Sequence, residues 1–239
     1  MGETKAKWRG NQLAFYDGTT YETVRPVAPR VLIEDFEGDT LDTNKWLYAA
    51  TANQDTQAVN LGAAVLTFTN DGTQQESGVL AAGNSLDWDL SKGLIIEFRA
   101  TVSVIPTGGT EIHLGVLGET QADDSQIAAA DEYDEHAVFV FDGSGACLIY
   151  TDDGTNENDA VATGVTVLTT ETHVYRIDFT DQANVLFFID GVGVATSTTF
   201  EMDDIGSDLV QPYVNMSKAA AAGVGTVLLD YIKIWQATR

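Results

Sequence analysis

The residues best suited to chemistry in this sequence are the carboxylates of residues 131–135, which read DEYDE. Two carboxyl groups on one face of a strand can cleave a glycosidic bond, since one protonates the leaving oxygen while the other attacks. Side chains alternate along a strand, so Glu132 and Asp134 share a face and Glu135 points the other way. We interpret the run as a solvated acidic loop. No catalytic residue is predicted, and the chain is not expected to be an enzyme.

The other reactive side chains are dispersed along the chain. His113, His136 and His173 fall in different predicted strands, and no Ser-His-Asp order with an elbow motif accompanies them. Cys147 lies between apolar residues and is expected to be a buried small hydrophobe. No glycine-rich phosphate loop precedes a helix, so nucleotide chemistry is not indicated.

Two acidic sites are candidates for a cation. Asp230 alternates in phase with Leu228 and Ile232, which predicts that it points toward an apolar face, where a carboxylate needs a partner. Residues 152–159 (DDGTNEND) supply oxygen atoms of the kind that calcium binds, but they lack the full EF-hand spacing. The alternatives are a hydrogen-bonded aspartate at a sheet edge and a solvated hairpin tip.

Sugar binding would require exposed aromatic rings. The available residues are Trp46, Trp88, Tyr133 and Tyr213. Large aromatics in a β-sandwich are also common as core or loop anchors, so both interpretations remain open at this point.

Composition restricts the partners that these residues could meet. The 239-residue chain has 12 Lys and Arg against 36 Asp and Glu, a net charge of −24, which disfavours nucleic acid. A single cysteine excludes an internal disulfide. No apolar run resembles a signal peptide or reaches the roughly 20 residues of a membrane helix. We therefore expect a soluble chain made in a cytoplasm, with no membrane partner.

Residues 1–30 are predicted to form an anchoring arm. Residues 12–16 and 21–24 flank Asp17-Gly18, a turn dipeptide, and residues 25–30 form a proline-containing linker. An isolated hairpin is marginally stable, so the arm must pack on another surface. The side chains expected to anchor it on a partner are Trp8, Arg9, Phe15, Tyr16 and Tyr21.

Residues 31–239 are predicted to form one all-β domain. Alternating apolar segments at residues 64–69, 93–104, 137–141 and 226–235 are separated by turn dipeptides such as Asp142-Gly143 and Asp190-Gly191. Many strands without helical periodicity indicate a two-sheet antiparallel sandwich.

Four segments in order resemble concanavalin A-like lectin and glucanase domains. They are residues 31–38 (VLIEDFEG, followed by Trp46), 94–99 (LIIEFR), 173–191 and 228–235 (LLDYIKIW). The resemblance implies a jelly-roll sandwich with one concave sheet. This fold occurs in lectins, glycosidases and structural modules alike, so it implies no single activity.

The same resemblance bears on the candidate sites. Related domains often hold a structural calcium between their first and last strands, which here would join Asp230 to Asp35 or Glu34. Glucanases of this fold carry three acidic residues on one strand. Here Glu132 and Asp134 match the first two, but His136 and Ala137 occupy the positions where the third would stand.

The arm is similar to segments of tailed-phage structural proteins. The leading prediction is therefore a non-enzymatic virion protein, a capsid decoration or fibre-like component located in the virion. Its expected partners are a major capsid or other virion protein, further copies of itself, and surface glycans. The alternatives are a carbohydrate-binding module or adhesin and, second, a glucanase-like glycoside hydrolase.

Overall fold

The fold is all-β. The computed structural model describes residues 4–9, 12–17, 23–24, 30–38, 40–50, 56–59, 62–68, 76–82, 85–119, 135–218 and 222–236. The helical content of these residues is two 3-10 turns, Leu90–Lys92 and Gln182–Asn184. In the same residues no helix is long and apolar enough to cross a membrane.

The first three strands form a small sheet of their own. They are β1 (Thr4–Arg9), β2 (Gln12–Asp17) and β3 (Thr23–Val24), paired antiparallel in that order. Phe15 pairs with Val24, as expected for the predicted hairpin. The proposed domain boundary at residue 30 stays a prediction.

Sheet I is the first of two eight-stranded antiparallel sheets among the described residues. Its spatial order is β17 (Val192–Val194), β16 (Leu186–Ile189), β15 (His173–Asp178), β10 (Leu94–Thr107), β19 (Val224–Gln236), β7 (Ala64–Phe68) and β6 (Thr56–Val59). A further strand, β4 (Arg30–Glu34), pairs with the second half of β19. The long strands β10 and β19 lie at the centre because they have the longest alternating runs.

Sheet II contains the remaining strands. Its order is β14 (Glu157–Thr166), β13 (Ala146–Asp152), β12 (His136–Phe141), β11 (Thr110–Leu117), β18 (Leu209–Lys218), β8 (Glu76–Ala81) and β5 (Leu47–Ala50), and β9 (Trp88–Asp89) pairs with β18. The predicted two-sheet antiparallel jelly-roll sandwich is confirmed.

The core lies between the two sheets. Ring centroids of Tyr175, from sheet I, lie 5.3 Å from Phe139 and 5.2 Å from Phe141, both from sheet II. Phe187 and Phe200 continue the aromatic cluster at 4.9 Å. Cys147 is buried in the same core, as predicted.

Tight turns fix the strand registers around this core. Asp190 and Gly191 both have positive φ, 51° and 78°, which a type I′ hairpin turn requires. Asp142 accepts a hydrogen bond from the Ser144 N–H at 2.8 Å and closes the β12–β13 turn. Both turns occur where the Asp-Gly dipeptides predicted them.

Candidate functional site

The outer face of sheet II carries an unusual set of side chains. Strand alternation sends Ile112, Leu114 and Val116 into the core and therefore turns the intervening residues outward. We call this surface the sheet II face. It is formed by Glu111, His113, Gly115, Leu117, His136, Val138, Val140, Leu148, Tyr150, Asp152, Gln211, Tyr213 and Asn215.

The middle of this face is a row of four residues that ends in two tyrosines, and we call this row the trough. Strand pairing places Tyr150, Val138, Gly115 and Tyr213 in one row across β13, β12, β11 and β18. The row spans three strand spacings, roughly 14 Å. Gly115 has no side chain, and a Cβ there would lie 2.0 Å from the carbonyl oxygen of Ala137. The backbone is therefore closely packed at Gly115, and both Gly115 and Val138 are buried between the two rings.

A hydrogen-bonded chain borders the trough on one side. Asn215 Nδ2 lies 3.3 Å from His113 Nδ1, and His113 Nε2 lies 3.1 Å from Glu111 Oε2. With the imidazole proton on Nε2, Asn215 donates to His113 and His113 donates to Glu111. His113 and Asn215 are buried, whereas Glu111 reaches partly into solvent.

Gln211 stands in the row on the other side of the trough. Its Nε2 donates to the carbonyl oxygen of Glu119 at 2.8 Å. Its buried Oε1 has no hydrogen-bond partner among the described residues. A buried amide oxygen left in this way costs free energy, so it is a strong acceptor for a ligand hydroxyl or a water.

Much of the sheet II face is shielded from solvent. Leu117, Val138, Val140 and Tyr213 form a second apolar cluster that is distinct from the main core. Leu148 and Tyr150 pack against it and remain only partly buried. The part that solvent reaches is therefore the margin along β13.

Three of the four aromatic residues considered for sugar binding are buried. Trp46 and Trp88 belong to the main core, and the Arg30 guanidinium lies 4.2 Å from the centroid of the Trp88 ring. Tyr213 is on the sheet II face but buried, and Tyr133 lies outside the described residues. The sequence could not distinguish these positions because the burial of each ring depends on packing against residues that are distant in the chain.

The residues predicted to hold a metal lie in different environments. Asp230 forms an ion pair with Arg99 on the outer face of sheet I, so the expectation that it points toward an apolar face is wrong. The cause is a register shift in β10 between Arg99 and Ala100, which pair with Tyr231 and Leu229 and leave Asp230 as the extra residue of a bulge.

Asp35 and Glu34 have other contacts. The exposed Asp35 accepts a hydrogen bond from the Glu37 N–H at 3.3 Å. Glu34 is buried, and its Oε2 accepts from Trp46 Nε1 at 3.0 Å and from Lys45 Nζ at 3.4 Å. No group of three or more metal-ligating side chains occurs in the described part of the chain.

The five proposed anchoring residues are placed only in part. Trp8 and Arg9 lie in β1, and Phe15 and Tyr16 lie in β2. Tyr21 is outside the described residues. Their role in binding a partner therefore stays a prediction.

The acidic run at residues 131–135 is described at its last residue. Glu135 Oε1 accepts a hydrogen bond from the Gly206 N–H at 2.8 Å, while Glu132 and Asp134 fall outside the described residues. On β12, which follows the run, the outward side chains are His136, Val138 and Val140, and none is a carboxylate.

Sequence reasoning missed the role of one carboxylate in the predicted hairpin tip. Asp153 is buried and accepts hydrogen bonds from the N–H groups of Thr155, Asn156 and Asp204. Burial alone would raise its pKa, but these hydrogen bonds and one from the Asn156 side chain outweigh it and lower the pKa. The signal was available in the sequence Asp-Gly-Thr-Asn, since such carboxylates cap turns.

Comparison with known proteins shows which solved structures this chain resembles. No protein-family model matches the sequence, and no curated protein matches it. An endo-1,3-β-glucanase from Streptomyces sioyaensis aligns with a TM-score of 0.61 and 13% identity over 87% of this chain and 96% of its own. A laminarinase from Flavobacterium sp. UMI-01 aligns with a TM-score of 0.58 and 19% identity over 86% and 99%. The carbohydrate recognition domain of Emp47p aligns with a TM-score of 0.57 and 12% identity over 86% and 94%.

These comparisons contradict the leading functional prediction. The structures that the chain resembles are named as glucanases and a carbohydrate recognition domain, not as virion proteins. The prediction of a non-enzymatic capsid decoration or fibre-like protein is therefore wrong. It depended on the N-terminal arm and its proline linker, on the absence of catalytic carboxylate spacing and on the absence of a secretion signal.

What the comparisons do show is the architecture, since each likeness covers at least 86% of this chain at low identity. The chain has the concanavalin A-like β-sandwich fold of glucanase and lectin-type domains.

Proposed function

We propose that the sheet II face binds a carbohydrate chain. The observation that carries the proposal is the partly exposed ring of Tyr150, which lies at the solvent-facing end of the row that leads through Val138 and Gly115 to the buried Tyr213. Sugar rings have apolar C–H faces that pack on aromatic rings, and their hydroxyl groups need paired donors and acceptors nearby. Tyr150 is a partly exposed ring on this face, and Glu111 is a partly exposed acceptor.

The polar groups suit hydroxyl recognition. Glu111 is an acceptor at the partly exposed end of the chain through His113 to Asn215. Gln211 offers a buried amide oxygen without a partner in the described residues. Since Tyr213 is buried and Tyr150 is partly exposed, a glycan first contacts the margin along β13.

The structures with this fold suggest which glycans to test first. Two of those compared are named for β-1,3-glucan or laminarin cleavage, and one is a carbohydrate recognition domain. We therefore expect binding of β-1,3-linked gluco-oligosaccharides, and mucin-type O-glycans form a second panel because another similar structure comes from work on O-glycanases.

Isothermal titration calorimetry with laminari-oligosaccharides tests the proposal. Tyr150→Ala should weaken binding at least tenfold, which corresponds to about 1.4 kcal/mol of lost ring contact. Tyr231→Ala is the matched control, because this tyrosine lies on the outer face of the other sheet. Equal affinities for wild type and Tyr150→Ala, with both proteins folded, would exclude this face as the site.

A second candidate function is hydrolysis of the bound glycan. The fold is shared with named endo-glucanases, and the run at residues 131–135 supplies carboxylates next to β12. Release of reducing ends from laminarin should then be abolished by Glu132→Gln, whereas Glu37→Gln, which changes an exposed carboxylate, should leave it intact. Activity that survives Glu132→Gln would remove this residue from the mechanism.

A further inference from the structure

Charge is divided unequally between the two sheets. The strands of sheet I contain four basic and four acidic residues, which are Arg30, Arg99, Arg176, Lys233, Glu34, Glu97, Asp178 and Asp230. The strands of sheet II contain one basic and six acidic residues, which are Lys218, Glu76, Asp89, Glu111, Asp152, Glu157 and Asp159. The proposed glycan site therefore lies on the sheet that has the excess of negative charge.

Two of these carboxylates adjoin the partly exposed ring of Tyr150. Asp152 follows Tyr150 by two residues on β13, so it lies on the same face roughly 7 Å along the strand. Asp152 is only partly buried, and Glu157, its partner across β14, is exposed. A glycan that packs on Tyr150 therefore lies close to both carboxylates.

No basic residue offsets these charges on the described strands around Tyr150. The strands β11, β12, β13 and β14 contain no Lys or Arg, and residues 100–175 of the sequence contain none at all. The one basic residue in the strands of sheet II, Lys218, is the last residue of β18 and is fully buried. The electrostatic potential at the margin along β13 is therefore negative, and it acts on any charge that a ligand carries there.

Hydrogen bonding favours the same class of ligand. Asp152 also lies in the row that leads through His136 and Leu117 to Gln211. The Gln211 side chain is fully buried, and its Oε1 has no hydrogen-bond partner among the described residues. This amide oxygen and the ionised carboxylates of Asp152 and Glu157 accept hydrogen bonds and cannot donate them. A sugar hydroxyl or ammonium group can donate to such acceptors, whereas an ionised carboxylate or sulfate group cannot.

We propose that the sheet II face selects glycans by charge: it binds neutral and amino-sugar chains and excludes chains of uronic acids or sulfated sugars. This inference rests on the proposed function, since it concerns the ligand of the same face. The ring of Tyr150 supplies a contact that all these sugars share, and the carboxylates of Asp152 and Glu157 distinguish between them.

The size of the effect follows from the distances. A ligand charge roughly 7 Å from each of the two carboxylates changes the affinity about threefold at about 0.1 M salt and about fivefold at about 0.01 M. These factors use the dielectric constant of bulk water, so they are lower bounds for a partly buried ligand. An amino group should raise the affinity by these factors, and a carboxylate should lower it.

Isothermal titration calorimetry of the full chain with three matched ligands tests the proposal. The ligands are one laminari-oligosaccharide, the same chain with its 6-hydroxyl groups oxidised to carboxylates, and the same chain with amino groups at these positions. At about pH 7 the amino groups are protonated, and the amino derivative should bind most tightly and the carboxylate derivative most weakly. We expect at least about fivefold between neighbouring affinities at about 0.01 M salt, and added salt should bring the three values together.

Paired variants identify the residues responsible. Asp152→Asn combined with Glu157→Gln should reduce the differences among the three ligands to less than about twofold. The asparagine keeps an oxygen that can accept from the Gly154 N–H, as Asp152 does at 2.7 Å. The matched control is Asp178→Asn on sheet I, where the carboxylate accepts from the Thr180 N–H at 3.0 Å, and it should preserve the differences. Thermal unfolding of both variants establishes that each is folded.

The outcomes separate this inference from the proposed function. Selection by charge is refuted, while glycan binding stands, if the carboxylate derivative binds as tightly as the neutral ligand. The same holds if the differences persist in the combined variant of Asp152 and Glu157. If none of the three ligands binds the wild-type chain, the proposed function fails and selection by charge fails with it.

Discussion

Asp153→Ala is expected to destabilise the fold strongly although the residue lies in a turn. Its carboxylate accepts from the N–H groups of Thr155 at 3.0 Å, Asn156 at 2.6 Å and Asp204 at 3.2 Å, so it joins the β13–β14 turn to the loop before β18. Alanine would leave all three donors without this acceptor.

The magnitude follows from the number and environment of these hydrogen bonds. A hydrogen bond to a charged group contributes about 1.5–3 kcal/mol, and the two turn amides can recover part of this from water because the neighbouring Gly154 and Thr155 are exposed. We expect a total loss of about 3 kcal/mol. For a chain of this length that corresponds to a fall in Tm of about 6–12 °C.

Urea unfolding of wild type, Asp153→Ala, Asp153→Asn and the control Asp159→Asn measures this effect. Asp159 is an exposed carboxylate on β14, so its change should alter the free energy of unfolding by less than about 0.5 kcal/mol. The reasoning is refuted if Asp153→Ala costs no more than the control does at pH 7.

The same variants have a defined pH dependence. A carboxyl group whose folded pKa is lowered adds stability that is complete above its unfolded pKa of about 3.9 and is lost as the pH falls through the folded value. The difference between wild type and Asp153→Asn should therefore stay constant from about pH 7 to 5 and shrink below about pH 4. A difference that is independent of pH down to about pH 2 would show that the charge of Asp153 is not involved.

Three further predictions concern the core and its turns. Burial raises the pKa of the Cys147 thiol, so Ellman's reagent at pH 8 should label it only after denaturation. Glu34→Ala removes the acceptor of the buried Trp46 indole and should cost about 2 kcal/mol, with a changed tryptophan emission in the folded protein. Gly108 and Gly145 both have positive φ, but they differ in the space around them. A Cβ at Gly108 would lie 2.8 Å from the backbone nitrogen of Gly223, whereas a Cβ at Gly145 would have no atom within 4 Å. Thermal unfolding should therefore show a larger loss for Gly108→Ala than the roughly 1–2 kcal/mol of conformational strain expected for Gly145→Ala.

The fold could be predicted from the sequence because its signals are local. Alternation along residues 93–104 and 226–235 predicted the central strands of sheet I, and two Asp-Gly dipeptides predicted hairpin turns that the structure contains. The buried position of Cys147 followed from its apolar neighbours in the same way.

The site could not be predicted because its determinants are not local. The bulge that turns Asp230 outward depends on the register between two strands more than 100 residues apart, so alternation within β19 gave the wrong side. The sequence does not single out Tyr150 as a binding residue, because its place in one row with Tyr213 exists only once β11 and β12 lie between their strands.

Ring signals of selectively labelled tyrosines test the central claim, carbohydrate recognition by the sheet II face, most directly. A nuclear magnetic resonance titration of the full chain with laminari-oligosaccharides should shift the signal of Tyr150 saturably, while Tyr175 in the core and Tyr231 on sheet I stay unchanged. A Tyr150 signal that does not move at saturating glycan, or shifts confined to Tyr231, would contradict the account.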